Sequence, residues 1–139
     1  MSPESAAGTT VTVAIGAAGD VVLARQSARN LALDCGLSLI DQTKLVTAVS
    51  ELARNTLIHG GGGGMRASIV RDGVRRGVSA VFEDSGPGIA DLDLAMTDGW
   101  TSGTGLGLGL SGSRRLVDSF EIDTVPGRGT SVAIVKWAR

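Results

Sequence analysis

At 139 residues, 42% of them hydrophobic and 19% charged, the chain has the size and composition of one globular domain. A formal net charge of −1 gives no general attraction to nucleic acid or to an anionic membrane surface. The one cysteine, Cys35, excludes an internal disulfide, and no apolar run approaches the roughly 18 residues of a membrane span.

Met1 to Thr10 is small and polar, without the basic start and apolar centre of a signal peptide, so a flexible N-terminus and a cytoplasmic protein are expected. Val11 to Ile15 alternates and is β-branched, which predicts a first strand. Asp20 can cap a helix that runs to about Cys35 and stops at Gly36. Ser38 or Asp41 starts a second helix with Ile40, Leu45, Val49, Leu52 and Thr56 as its core stripe, ending at His59 and Gly60. The glycines 60–64 read as a flexible connection. Met65 to Arg71 and Gly77 to Glu83 are predicted strands around the hairpin signal Asp72-Gly73. Residues 85–103 have little periodicity and many breakers, a loop long enough to suggest a function such as a lid. Leu106 to Ser119 is a predicted helix. Phe120 to Thr124 and Thr130 to Trp137 are closing strands around Pro126-Gly-Arg-Gly129. The order β-α-α-β-β-loop-α-β-β predicts an α+β two-layer fold over residues 11–139: a mainly antiparallel, mixed sheet with helices on one face.

Three blocks carry candidate chemistry. Glu51 and Asn55 stand four apart on a predicted helix, hence on one face. A carboxylate can accept a proton from an attacking hydroxyl, and an amide oxygen can give Mg²⁺ one hard ligand. Alone, such a pair reads as a solvated helix face. Arg54 beside it reads as a surface residue off that face. In the second block, Asp84 ends a strand and is followed by Gly86-Pro-Gly88. An ionised carboxylate beside exposed backbone suits a donor such as an exocyclic amine, although the same residues also make an ordinary turn. The third block is Gly103-Thr104-Gly105-Leu106-Gly107-Leu108-Gly109 before a helix. Backbone N–H groups at a helix start attract phosphate. Gly107-x-Gly109-x-x-Gly112 matches a dinucleotide pattern but follows no strand, and no Gly-Lys-Ser/Thr of a Walker motif is present.

Taken in order, these blocks resemble the GHKL (Bergerat-fold) ATPase superfamily from about Val11 to Arg139. Glu51 to Asn55 resembles its N box, Asp84 to Ile89 its G1 box, Gly103 to Leu110 its G2 box, and Gly127-Arg-Gly129-Thr130 its closing Gly-x-Gly-Thr. The resemblance implies ATP with Mg²⁺. Asn55 would hold the metal and Asp84 the adenine amine. Gly86 and Gly88 would line the base pocket, and Gly103, Thr104, Gly105, Leu106, Gly107, Leu108 and Gly109 would wrap the phosphates. Thr130 would close the adenine end and Glu51 would be the general base. Residues 90–102 would be the ATP lid, with Trp100 in it. Ser50 to Asn55, Glu83 to Ile89, Asp98 to Gly103 and Lys136-Trp137 look like the anti-sigma-factor type of serine/threonine kinase, in particular the switch kinases of the stressosome pathway. Such kinases phosphorylate STAS-domain proteins and, once released, activate a PP2C-type phosphatase. Rival readings are an anti-sigma factor with a sigma factor as main ligand, a nucleotide-gated binding module, and a stand-alone ATPase. A homodimer stays open.

Overall fold

The computed structural model describes residues 4–97 and 109–139. Five strands form one sheet in the order β1-β2-β3-β5-β4. They are β1 (Glu4–Ile15), β2 (Gly63–Asp72), β3 (Arg75–Asp84), β4 (Ser119–Val125) and β5 (Gly129–Trp137). All four pairings are antiparallel, so the mixed character expected of the sheet is absent among the described residues. The α+β class and the one-sided helical layer are as expected. Helices α1 (Ala18–Cys35) and α2 (Leu39–Ile58) connect β1 to β2. The short α3 (Leu92–Ala95) and α4 (Leu110–Leu116) lie between β3 and β4.

Period-two alternation sets the core. Val13 and Ile15 of β1, Met65, Ala67 and Ile69 of β2, Val78, Ala80 and Phe82 of β3, and Val132 and Ile134 of β5 are all buried. They meet Ala24, Ala28, Leu31 and Ala32 of α1 and Leu45, Val49 and Leu52 of α2. The small residues of α1 let it lie close over the sheet. Ile40 was expected in the α2 stripe but is 69% exposed, because it lies on the solvent face with Lys44 and Thr47, while Asp41, Gln42 and Leu45 beside it are buried. On the opposite face Arg66, Ser68, Ser79, Val81, Ala133, Val135 and Trp137 line a shallow hollow, and the Arg75 guanidinium lies 4.2 Å from the centre of the Trp137 ring.

Local chemistry explains the boundaries. Asp20 is not the cap but the third helical residue of α1, and its carboxylate accepts from the N–H groups of Gly16 (2.9 Å) and Ala17 (3.0 Å). Gly36 closes α1 at φ 85°. Between the two candidates, Ser38 is the cap of α2, its hydroxyl accepting from Asp41 N–H at 3.2 Å.

Several segments differ from the sequence reading. β1 begins at Glu4: Glu4 and Ser5 pair with Arg71 and Val70 of β2, and after an irregular register the pairing resumes at Thr10, so the strand reaches into the stretch where a flexible terminus was expected. The glycines 60–64 are no flexible connection: Gly63 and Gly64 belong to β2, and Gly60 and Gly62 donate to the carbonyls of Asn55 and Thr56. One turn of helix, α3, lies inside the expected lid; residues 98–102 of that lid are outside the described residues. α4 ends at Leu116 rather than Ser119, since Val117 turns extended and Asp118 is tied to β5: its N–H donates to Val135 O and its carboxylate accepts from Trp137 N–H.

β5 also carries a buried lysine. Lys136 is 4% exposed and its Nζ lies 3.5 Å from Asp41 and 3.7 Å from Asp118, which joins β5, α2 and the start of β4.

Candidate functional site

A cavity of about 290 Å³ opens between the C-terminal half of α2, the end of β3 and the loop after it. Leu52, Phe82, Ile89, Leu110 and Val132 make its apolar walls, and Asn55, His59, Asp84 and Thr130 bring polar groups to it. Each polar residue is placed by its element. Asn55 is one turn past Glu51 on α2, and Asp84 is the last residue of β3, paired with Thr130 of β5 across the strands.

The backbone around Asp84 is unusually close. Asp84 Oδ1 accepts from Gly86 N–H at 2.9 Å. A Cβ at Gly60 would fall 2.4 Å from Asp84 Cγ, one at Gly86 2.7 Å from Gly60 Cα, and one at Gly129 2.1 Å from the Asp84 carbonyl oxygen. Gly88, at φ 73°, leaves no room for a Cβ, which would meet Val125 O at 2.6 Å. Gly60 thus packs against the carboxylate, Gly86 against Gly60 and Gly129 against the Asp84 backbone, and Gly88 seats the loop on the end of β4.

Thr124 of β4, which sequence reading passed over, holds that loop in place. Its hydroxyl accepts from Ile89 N–H at 2.8 Å, lies 2.9 Å from the Thr130 hydroxyl and 3.3 Å from Gly129 O. Gly127 N–H donates to Pro87 O at 2.7 Å, a second clasp between loop and hairpin. A threonine in a strand carries no signal of such a role, because its partners come from segments more than thirty residues apart.

Glu51 stands outside the cavity lining, against the start of α4, where a Cβ on Gly109 would lie 2.7 Å from its Oε2. The other oxygen, Oε1, accepts from Arg54 at 3.1 Å. Arg54 is exposed, as read, but it is bonded to Glu51 rather than turned away from it. His59 caps the end of α2 and also lines the cavity. Burial pushes its imidazole below the ordinary value, opposed by the Asp84 carboxylate. Its Nε2 is buried without a partner among the described residues, which suits the neutral ring better than the imidazolium, whose two nitrogens are both donors.

The structure thus brings Asn55, Asp84, Gly88 and Thr130 to one cavity and sets Gly86 and Gly109 beside it. Gly103, Thr104, Gly105, Leu106, Gly107 and Leu108 lie outside the described residues. The site suits an adenine nucleotide: apolar walls with a carboxylate among the lining residues, able to accept from an exocyclic amine. It also suits Mg²⁺ carried on the nucleotide, to which the Asn55 amide oxygen would give one ligand while phosphates and water give others. No cluster of three or more His, Cys, Asp or Glu exists among the described residues.

Comparison with known proteins defines the class. Residues 40–138 match the family of histidine kinase-, DNA gyrase B- and HSP90-like ATPases, and the chain belongs to that family. Within it, the chain is 42% identical over 120 residues to the serine/threonine-protein kinase RsbT of Bacillus subtilis, covering 86% of this chain and 90% of that one. An anti-sigma F factor of Clostridium novyi is 31% identical over 100 residues, covering 68% of this chain and 69% of its own. The fold matches the solved RsbU and RsbW domains of Rv1364c from Mycobacterium tuberculosis, with TM-score 0.66 and 20% identity over 94% of this chain and 33% of that one. It also matches the catalytic domain of histidine kinase ThkA, with TM-score 0.50 and 21% identity over 69% of this chain and 67% of that one. No helix among the described residues is long and apolar enough to cross a membrane.

Proposed function

We propose that this chain is a protein serine/threonine kinase of a partner-switching signalling module. It transfers the γ-phosphate of ATP to a Ser or Thr of a STAS-domain protein and, when released from it, binds and activates a PP2C-type phosphatase. The observation that carries the reading is the convergence of Asn55, Asp84 and Thr130 on one apolar cavity, with Glu51 one helical turn from Asn55. The likeness to a named serine/threonine kinase along 86% of the chain supports the choice of acceptor class.

In this mechanism Asp84 accepts from the adenine amine, and Gly86 N–H holds the carboxylate in line. Thr130 helps close the adenine end of the cavity. The glycines of the run 103–109 would give backbone N–H groups to the phosphates. Mg²⁺, when bound, neutralises charge on the β- and γ-phosphates, and the Asn55 amide oxygen is the ligand this chain offers it. Glu51 accepts the proton of the acceptor hydroxyl as its oxygen bonds to the γ-phosphorus, and the bond from that phosphorus to the β,γ-bridging oxygen breaks, releasing ADP. A second reading, an anti-sigma factor that also phosphorylates its antagonist, is supported by the anti-sigma F relatives and shares this chemistry.

The test is incubation with Mg²⁺ and γ-labelled ATP, alone and with STAS-domain proteins. Label on a STAS Ser or Thr, lost in Glu51→Ala, is expected. ATP binding without label on any protein contradicts the kinase reading and favours a nucleotide-gated binder. Phosphate release without an acceptor favours a stand-alone ATPase. Stoichiometric capture of a purified sigma factor moves the assignment to the anti-sigma reading.

A further inference from the structure

We infer that Arg54 is the positioning residue for Glu51, holding one carboxylate oxygen so that the other is presented at the start of α4. The inference rests on the proposed reading of Glu51 as the group that takes the acceptor's proton. A glutamate on a helix surface samples several rotamers, and general-base catalysis needs one of them, aimed at a hydroxyl within hydrogen-bond reach. Here both ends of the carboxylate are constrained. Arg54, three residues on, donates from its guanidinium to Oε1 at 3.1 Å. Oε2 lies over the bare Cα of Gly109, where a Cβ would stand 2.7 Å from it and 3.3 Å from Glu51 Cβ and Cδ. Gly109 ends the glycine run and caps α4 at φ 64°. The free lone pairs of the carboxylate are thus brought to the point where the run that would wrap the phosphates enters its helix.

The pair is half-exposed, 50% at Arg54 and 36% at Glu51, so it contributes little to folding. Arg54 also does not line the nucleotide cavity. Its truncation should therefore leave melting temperature and ATP affinity alone and act on the transfer step. That combination separates positioning from a structural role and from a contact with nucleotide.

The experiment compares wild type, Arg54→Met, Arg54→Lys, Glu51→Asp, the Arg54→Met/Glu51→Asp double variant and Glu51→Ala. The readouts are thermal melting, ATP calorimetry, and kcat and KM for transfer to a STAS-domain acceptor and to water. Arg54→Met is expected to lower kcat by roughly ten- to a hundred-fold with KM, ATP affinity and melting unchanged. Arg54→Lys should recover most of the loss. The Arg54→Met and Glu51→Asp losses should not multiply, because both act on one carboxylate. If Arg54→Met keeps wild-type kcat while Glu51→Ala is inactive, the base reading stands and the inference fails. Multiplying losses would show that Arg54 acts without Glu51 and also overturn it. Transfer by Glu51→Ala at the wild-type rate would remove the base reading itself.

Discussion

Alanine adds the same methyl group at Gly129 and at Gly112, and its effects should be opposite. Gly129 holds φ 134°, and a Cβ there would stand 2.1 Å from Asp84 O, which is backbone and cannot move aside. Gly129→Ala is expected to destabilise by about 2–3 kcal/mol in urea melts and to weaken ATP binding with it. Gly112 lies within α4 with nothing within 4 Å of the added carbon, so Gly112→Ala should stabilise by about 0.5–1 kcal/mol. His59 supplies a pH test. Burial lowers its folded value, so as pH falls the unfolded chain takes up this proton first. The stability it provides is complete above the unfolded value of 6.5 and declines as pH falls through the folded one. Urea melts from about pH 8 to about pH 5 should show a decline that His59→Gln lacks, at most about 1.4 kcal/mol per pH unit. Residue by residue, the sequence displays the glycines and the isolated acids, because their spacing is local. It hides which oxygen of Glu51 meets Arg54, since an exposed i,i+3 pair looks the same whatever it holds.

The β4–β5 hairpin and the loop after β3 act as one unit, because Thr124 accepts from Ile89 N–H and lies within hydrogen-bond distance of Thr130. Thr124→Val keeps the shape and the strand but leaves Ile89 N–H without its acceptor. Melting and ATP calorimetry should each show a loss of about 1–2 kcal/mol, with Thr124→Ser retaining most of both. A full loss confined to melting would mean that the hairpin supports the fold and not the base pocket. Most elements were legible: both long helices, the Asp72-Gly73 hairpin and the closing strands follow from periodicity and turn residues. The errors have two physical causes. Strand pairing decides β1 and the glycines 63–64, where pairing with β2 and β3 imposes extended backbone on residues of low β propensity. Tertiary hydrogen bonding decides the end of α4, where Asp118 is drawn to Val135 and Trp137 and stops a pattern that could have continued.

For the whole molecule, the sheet divides the two tasks. Its helical face and one end make the cavity, where α2 brings Asn55 and β3 brings Asp84. Its other face carries the hollow lined by Ser68, Ser79, Ala133 and Val135 together with Arg66, Arg75 and Trp137. The fold class was legible from element order, and membership of the ATPase family fits the four blocks that suggested it. The contacts around the phosphates were proposed from the glycine run and remain tied to residues 103–108, outside the described part. We propose that the cavity holds the base of ATP with Asp84 as its acceptor. Calorimetric titration of ATP with Mg²⁺ into wild type and Asp84→Asn tests it most directly. One site per chain is expected, weakened roughly ten- to a hundred-fold by the substitution, the worth of a hydrogen bond to a charged group. Equal affinity of the two proteins, or no ATP binding by wild type, would contradict it.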